Sequence, residues 1–483
     1  MHITRPQITN TTLLKFFCSS LLAGLALARK VDFSNAFYAF ILIGCAGAYV
    51  LRHTQFKLVF IVGLAVLAGL WRGQSYMAHL ATYQQLFRKQ ITVSAQADTD
   101  AIYTKNSQLS FDVVRPTVIK PERQTLIGKI KVEGFGVPMV YKGDLMQLQG
   151  SLSPTNGSAQ AKLSFAKIAV IKRGSSPIEV LRRRFVAGLI SVLPEPEAPF
   201  GAGLLLGQRS TIPKDVSDQL SATGLTHLVA VSGYNLTIII VAVRKIMGKA
   251  SKFQSTMMAT GLMLLFLLLT GMSASIIRAA LVSSLSLFAW YYGRQFKPLL
   301  LILGTAAATA FWNPFYLWSD IGWYLSYLAF FGVLMIAPVL SAAIGRGKKP
   351  KLVGALLTET VSAQVMTLPI IMYIFGRVSV IGLLANVLVV PMVPLAMLLT
   401  LVAGISGMMY APLAGWVAWP AKLLLTYMLD LVGILSHFPH ASFQQLISLP
   451  LMLAGYAVIL IATILLWRFL VSRKLFDYDK ITE

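Results

Sequence analysis

Twelve apolar stretches recur along this chain, most of them long enough to cross a bilayer as helices. That recurrence constrains the fold more than any motif. A spanning helix needs about 18 or more mostly apolar residues, and hydrocarbon admits only backbone whose polar groups are paired internally. The stretches lie near 12–29, 35–51, 57–72, 228–247, 254–272, 274–292, 298–312, 320–340, 353–374, 379–407, 411–435 and 447–471. Charged residues make up 12% of the 483, against about 25% in ordinary soluble domains. The expected fold is therefore a polytopic α-helical membrane protein with about 12 membrane segments. Pro391 and Pro394 interrupt one long apolar run. A helix broken there needs protein neighbours to satisfy its freed carbonyls, so it is expected to face protein or a cavity.

Between the third and fourth stretches the pattern changes. Residues 88–173 alternate apolar and polar side chains in short runs, such as Ile91-Thr92-Val93 and Lys129-Ile130-Lys131-Val132. Period two between turn residues reads as strands, and several short strands in so small a segment suggest a small β-barrel. This segment holds 13 Lys/Arg against 6 Asp/Glu. Residues 177–224 then read as amphipathic interfacial helices, with Arg182, Arg183 and Arg184 ahead of an apolar run and Pro194, Pro196 and Pro199 as breakers. The expected organisation is N-terminal membrane segments over 1–75, an inserted barrel over 88–173, interfacial helices over 177–224 and a transmembrane domain over 225–475.

The net charge is +24, from 42 Lys+Arg against 18 Asp+Glu. Basic cytoplasmic loops account for part of this. The remainder suits a polyanionic partner, nucleic acid or anionic lipid. With the N-terminus in the cytoplasm, three spans put the barrel outside. The connections bearing Arg244, Lys245, Lys249 and Lys252, then Arg294 and Lys297, then Arg346, Lys348, Lys349 and Lys351, fall inside with Arg473 and Lys474. Arg377 and the Arg29-Lys30 pair are exceptions. Both termini are thus expected in the cytoplasm of a multi-pass protein. The first apolar stretch resembles a signal peptide but is followed closely by two more, which reads as an uncleaved span. Cys18 and Cys45 both sit in apolar stretches, so a disulfide bracing an exported domain is not expected.

Polar residues at lipid depth mark function or helix locking. Arg278, just inside a span, either pairs with a carboxylate or meets a phosphate in a pore. Asp320 and Glu359 are its candidate partners. The segment from Gly224 to Asn235 places His227, Ser232 and Asn235 on one broad face if helical. They either pack helices together or line a channel mouth. Ser232-Gly233 also raises a serine hydrolase reading, which needs a base within reach. His227, His437 and His440 are the candidates, but Ala230 stands where the first glycine of that motif belongs. No run of metal-ligand spacing and no Gly-rich nucleotide loop ending in Lys-Ser/Thr occurs. Neither a metal, a cofactor, a nuclease centre nor an ATPase motor is expected.

These blocks resemble a known family. Leu204-Leu205-Leu206-Gly207, followed by Gly224-Leu225-Thr226-His227-Leu228 and Ser232-Gly233, is similar to the signature of the ComEC-type competence channels. Gly271–Ala280 with Arg278, Asn313-Pro314 with Asp320-Ile321-Gly322, Thr367-Leu368-Pro369, and Leu384-Ala385-Asn386 through Pro391 resemble further blocks in the same order. The resemblance implies a channel importing single-stranded DNA across the bacterial cytoplasmic membrane in natural transformation. It implies an OB-like DNA-binding barrel, with Lys129, Lys131, Lys142 and Arg182–Arg184 as candidate DNA contacts. His227, Ser232, Asn235, Arg278, Asp320 and Asn386 become candidate pore residues. Implied partners are a DNA receptor, a cytoplasmic DNA translocase or single-strand-binding proteins, and the lipid membrane. Many members continue into a metallo-β-lactamase-like domain. This chain ends at Glu483, so strand degradation is expected from a separate nuclease. A small-solute transporter is the alternative reading, since broken helices and midplane polar residues also fit one.

Overall fold

The computed structural model describes residues 9–31, 43–44, 46–47, 57–104, 108–136, 139–155, 157–229, 233–248, 250–271, 274–293, 297–345, 352–438, 441–473 and 475. Most of the second apolar stretch and Ser232 lie outside them. The architecture is a helical membrane domain with an inserted β-barrel. Among the described residues, eight helices are long and apolar enough to span a bilayer: Asn10–Leu27, Leu58–Leu86, Lys252–Thr270, Ile321–Gly345, Gly354–Ile374, Gly382–Met409, Leu413–Ser436 and Leu449–Ser472. Ser275–Tyr291 and Pro298–Trp312 are shorter apolar helices. The proline-broken run is an α-helix over Gly382–Val389, a 3-10 turn over Val390–Met392 and a second α-helix over Val393–Met409. It packs against the Pro177–Val192, Glu197–Leu206 and Ala411–Ser436 helices, around a core that includes Val393, Ala396 and Ala403.

Five strands form the barrel: β1 (Gln90–Ala97), β2 (Leu109–Lys120), β3 (Lys129–Phe135), β4 (Leu145–Ser153) and β5 (Ala161–Lys172). β1 pairs antiparallel with both β2 (Ser94 opposite Thr117) and β4 (Val93 opposite Leu148). β2 pairs antiparallel with β3, β4 antiparallel with β5, and β3 runs parallel to β5 with Val132 opposite Leu163. The circuit β1-β2-β3-β5-β4-β1 closes, leaving no long free edge. This is the Greek-key order of an OB-like barrel. Alternation drives it: Val93, Val113, Val132, Leu148, Leu152 and Leu163 all point inward and are fully buried.

The third apolar stretch does not stop at residue 72. Its helix runs through Lys57–Leu86 for 30 residues. That is about 45 Å, against a hydrocarbon core of about 30 Å. The extra turns are held by the barrel. Tyr83 is buried and donates to the Ile127 carbonyl at 3.2 Å, and Gln160 Nε2 donates to Tyr76 Oη at 2.8 Å. Lower down, Arg72 donates to the Phe311 and Trp312 carbonyls at 2.9 and 2.8 Å. A cation thereby satisfies the open C-terminal end of the Pro298–Trp312 helix.

The 177–224 region differs from the expectation of surface-lying helices. Pro177–Val192 is amphipathic, but all ten residues of Glu197–Leu206 are buried. The latter helix is apolar all round except for Glu197, and such a helix belongs in a core rather than at an interface.

Candidate functional site

The membrane domain meets the barrel at a set of charged side chains. Arg182, from the Pro177–Val192 helix, grips Asp100 of the barrel with two hydrogen bonds of 3.2 and 2.7 Å. Arg183 donates to the Gly174 carbonyl. Lys129 pairs with Asp98 at 2.5 Å. Burial opposes the charge of Lys129, but attraction and hydrogen bonding to Asp98, with Asp112 nearby, hold its ammonium above the ordinary lysine value. Lys142 behaves oppositely. Burial, with Arg182 close by, pushes its ammonium below the ordinary value. Its Nζ rests against Gly271, which closes the Lys252–Thr270 helix. Lys131 shares Glu133 with Lys162, at 3.4 and 2.7 Å. Arg184 is exposed. Of the six basic residues singled out in sequence, Lys129, Lys142, Arg182 and Arg183 are thus engaged in joining parts of the fold. Lys131 and Arg184 are the more accessible two.

The outer face of the barrel holds something the sequence pattern did not single out. Phe165 adopts the left-handed region at φ 51° and is 77% exposed. A bulky residue in that region is a strained outlier. The bulge it makes in β5 turns its ring outward. Two residues on, Lys167 is exposed and lies opposite both Phe135 of β3 and Gln149 of β4. Phe135 is itself 51% exposed. Two rings and a lysine on one sheet face can stack bases and attract phosphates.

Beneath the barrel, seven residues beyond Gly271, lies Arg278. It is 3% exposed. Its Nη2 donates to Ser275 Oγ at 3.1 Å, and its guanidinium sits 5.0 Å from the centre of the Tyr327 ring. Among the described residues, Nη1 has no hydrogen-bond partner and no carboxylate lies within ion-pair distance. Asp320 is near enough to attract Arg278 electrostatically. Its carboxylate is otherwise used, capping the Ile321–Phe331 helix by accepting the Trp323 N–H at 3.1 Å. Tyr327 is held in turn by Thr309, which it meets at 3.2 Å, while Thr309 accepts from Trp323 Nε1 at 3.0 Å.

The Gly233–Ile246 helix crosses beside Arg278. An added Cβ on Gly233 would lie 3.0 Å from the Ala279 methyl. Asn235 is buried and donates to the Leu204 carbonyl at 3.1 Å, tying this helix to the buried Glu197–Leu206 helix. Gly224, at φ 72°, turns the chain where Ser379 and Gly382 press close. A side chain there would be strained by both conformation and space. His227 follows, its Nδ1 3.0 Å from the Gly224 carbonyl. Its side chain is exposed. Arg209 is likewise exposed. Asn386 is one turn beyond Gly382, and its Oδ1 is buried without a partner among the described residues. His227 and Asn386 thus belong to elements that touch at Gly224 and Gly382. The structure gathers Asn235, Arg278 and Asp320 near the barrel-facing end, with His227 and Asn386 on the adjoining elements.

Sequence reading passed over Glu197. It is 7% exposed inside the membrane domain, accepts from Thr426 Oγ1 at 2.7 Å, and its Oε2 has no partner among the described residues. Its setting in Pro194-Glu195-Pro196-Glu197 reads as a break rather than a buried carboxylate.

A family profile described as "Competence protein" matches residues 204–470, more than half of the chain. A curated relative, "ComE operon protein 3" of Bacillus subtilis (strain 168), is 29% identical over 229 residues. That match covers 47% of this chain and 28% of the relative's own length. No solved structure matches the chain.

Proposed function

Because this chain belongs to the competence protein family, we propose that it is the membrane channel through which a single strand of DNA enters the cytoplasm. The observation that carries this reading is Arg278. Its guanidinium is buried in the membrane domain on the barrel side, and among the described residues it has no carboxylate partner and its Nη1 has no hydrogen-bond partner. Burying a charge in this way costs several kcal/mol unless something repays it. A passing phosphate, which accepts charge-assisted hydrogen bonds, does so. Lys142 of the barrel rests against Gly271, seven residues before this guanidinium, and His227 and Arg209 are exposed.

In this reading the barrel faces the outside and both termini the cytoplasm. Phe165, Phe135 and Lys167 receive the strand, and Lys131 and Arg184 add charge at its approach. His227, Ser232, Asn235, Arg278 and Asn386 line or support the path, with Asp320 fixing the helix that carries Tyr327. A DNA receptor and a nuclease act on the outer side, and single-strand-binding proteins or a translocase act inside. The channel supplies a route and no bond-breaking chemistry.

The test is transformation by a competent host lacking this gene, with end-labelled DNA followed to the surface-bound and internal fractions. We expect binding to persist, internal single strands to disappear, and the wild-type gene to restore them. Internal label equal to wild type in the deletion strain would overturn the reading in favour of a small-solute carrier.

A further inference from the structure

The membrane face opposite the barrel carries a second candidate site. The C-terminal end of the Lys252–Thr270 helix lies under Lys142 of the barrel. Its 19 residues rise about 28 Å, close to the hydrocarbon thickness. Its N-terminus therefore lies at the far face. There a cavity of about 430 Å³ opens, lined by Arg244, Lys245, Lys252, Ser255 and Trp290 among others. The Arg244 guanidinium lies 4.5 Å from the Trp290 ring centre and Lys252 Nζ 6.0 Å from it.

Nothing acidic balances these cations locally. No Asp or Glu occurs between Asp218 and Asp320. Among the described residues none of Arg244, Lys245 and Lys252 forms an ion pair. The cavity also sits at headgroup depth by its neighbours. Phe288, Tyr291 and Tyr292 are exposed near Trp290 in sequence, with Phe288 tilted against Tyr292 and Tyr291 T-shaped to it, and Tyr and Trp gather at membrane–water boundaries. Val241 of the lining is exposed and apolar, as are Ile246 and Phe253, which adjoin the lining residues Lys245 and Lys252 in sequence.

We propose that this cavity binds the phosphate headgroup of an anionic phospholipid in the leaflet opposite the barrel. Basic pockets between membrane helices take such headgroups. The apolar rim suits acyl chains. A nucleic acid is the poorer fit, because Arg244 covers the indole face that a base would need. The inference does not depend on the DNA-channel reading.

The test is native mass spectrometry of the purified full-length protein titrated with phosphatidylglycerol or phosphatidylcholine. We expect wild type to retain phosphatidylglycerol preferentially. We expect Arg244→Gln/Lys252→Gln to weaken that retention about twenty-fivefold, at roughly fivefold per basic residue removed. Lys120→Gln, at an exposed barrel lysine, should leave it unchanged. Lys252→Gln alone is the fallback should the double variant not fold, with about a fivefold loss expected. Equal retention of both lipids, or retention unaffected by these substitutions, overturns the proposal. So does a result in which an oligothymidylate loses affinity for the double variant while lipid retention stays the same.

Discussion

Replacing Arg278 by methionine removes a buried charge while roughly keeping its volume, and the structure sets the sign of the result. In favour of the arginine stand its bond to Ser275, about 1.5–3 kcal/mol for a charged donor, and its place over Tyr327, about 2 kcal/mol when desolvated. Against it stand the desolvation of a guanidinium, several kcal/mol, and an unmatched N–H, about 1–3 kcal/mol. These terms nearly cancel, so Arg278→Met should shift stability by less than about 2 kcal/mol, with neutral or raised stability expected. Transport should respond differently. A charge-assisted contact with phosphate is worth about 2–3 kcal/mol, so transformation should fall by about thirtyfold or more. The assays are thermal unfolding of the detergent-purified variant and transformation frequency at matched membrane abundance. A variant that transforms like wild type refutes the phosphate contact. One that fails to accumulate in the membrane shows that Arg278 holds the helices together instead.

Three further outcomes follow from the barrel. Phe165→Gly relieves the left-handed strain at φ 51° and should raise stability by up to about 1 kcal/mol. It should also weaken single-stranded DNA binding at least fivefold, as loss of one stacked base implies; unchanged binding in a fluorescence titration would exclude the platform. Arg182→Ala leaves the Asp100 carboxylate buried and should cost about 3–5 kcal/mol, lessened because Asp100 also accepts the Lys142 N–H. Adding Asp100→Asn should recover much of this in thermal unfolding. The Glu133 carboxyl is held below its usual range, chiefly by its hydrogen bond with Lys162. Its stabilising contribution is therefore present above about pH 4.5 and lost as pH falls through the depressed value. Glu133→Gln should flatten that part of the acid unfolding curve.

The spans and the barrel were legible because each rests on a local period. Ile91-Thr92-Val93 and Lys129-Ile130-Lys131-Val132 alternate, and both lie in strands. The parallel pairing of β3 with β5 was not legible, since closure is decided by residues far apart in sequence. Nor was the continuation of the third helix to Leu86, although Tyr76 and Tyr83, seven apart, lie on one helix face and carried the signal. The charges divided the same way. Arg182 looked like a nucleic-acid contact, but its partner Asp100 stands 82 residues away. Asp320 looked like a partner for Arg278, yet its side chain is spent on a local cap that the following Ile321-Gly322-Trp323 allows. The free N–H of Arg278 and the outward turn of Phe165 depend on tertiary packing and backbone geometry that no spacing encodes.

The uninterrupted helix from Lys57 to Leu86 fixes more than a distance. A rigid rod transmits rotation as well as height, and each residue along it turns about 100°. The azimuth of the barrel about this axis, and with it the direction in which Phe165 and Lys167 face, is therefore written into the number of residues between the bilayer and Tyr76. Alanine insertions near Gly73 would swing the barrel around that axis, out of alignment at two residues and nearly back again at four. The helix acts as a phase setting between the two halves of the molecule, and its length is heritable as a count.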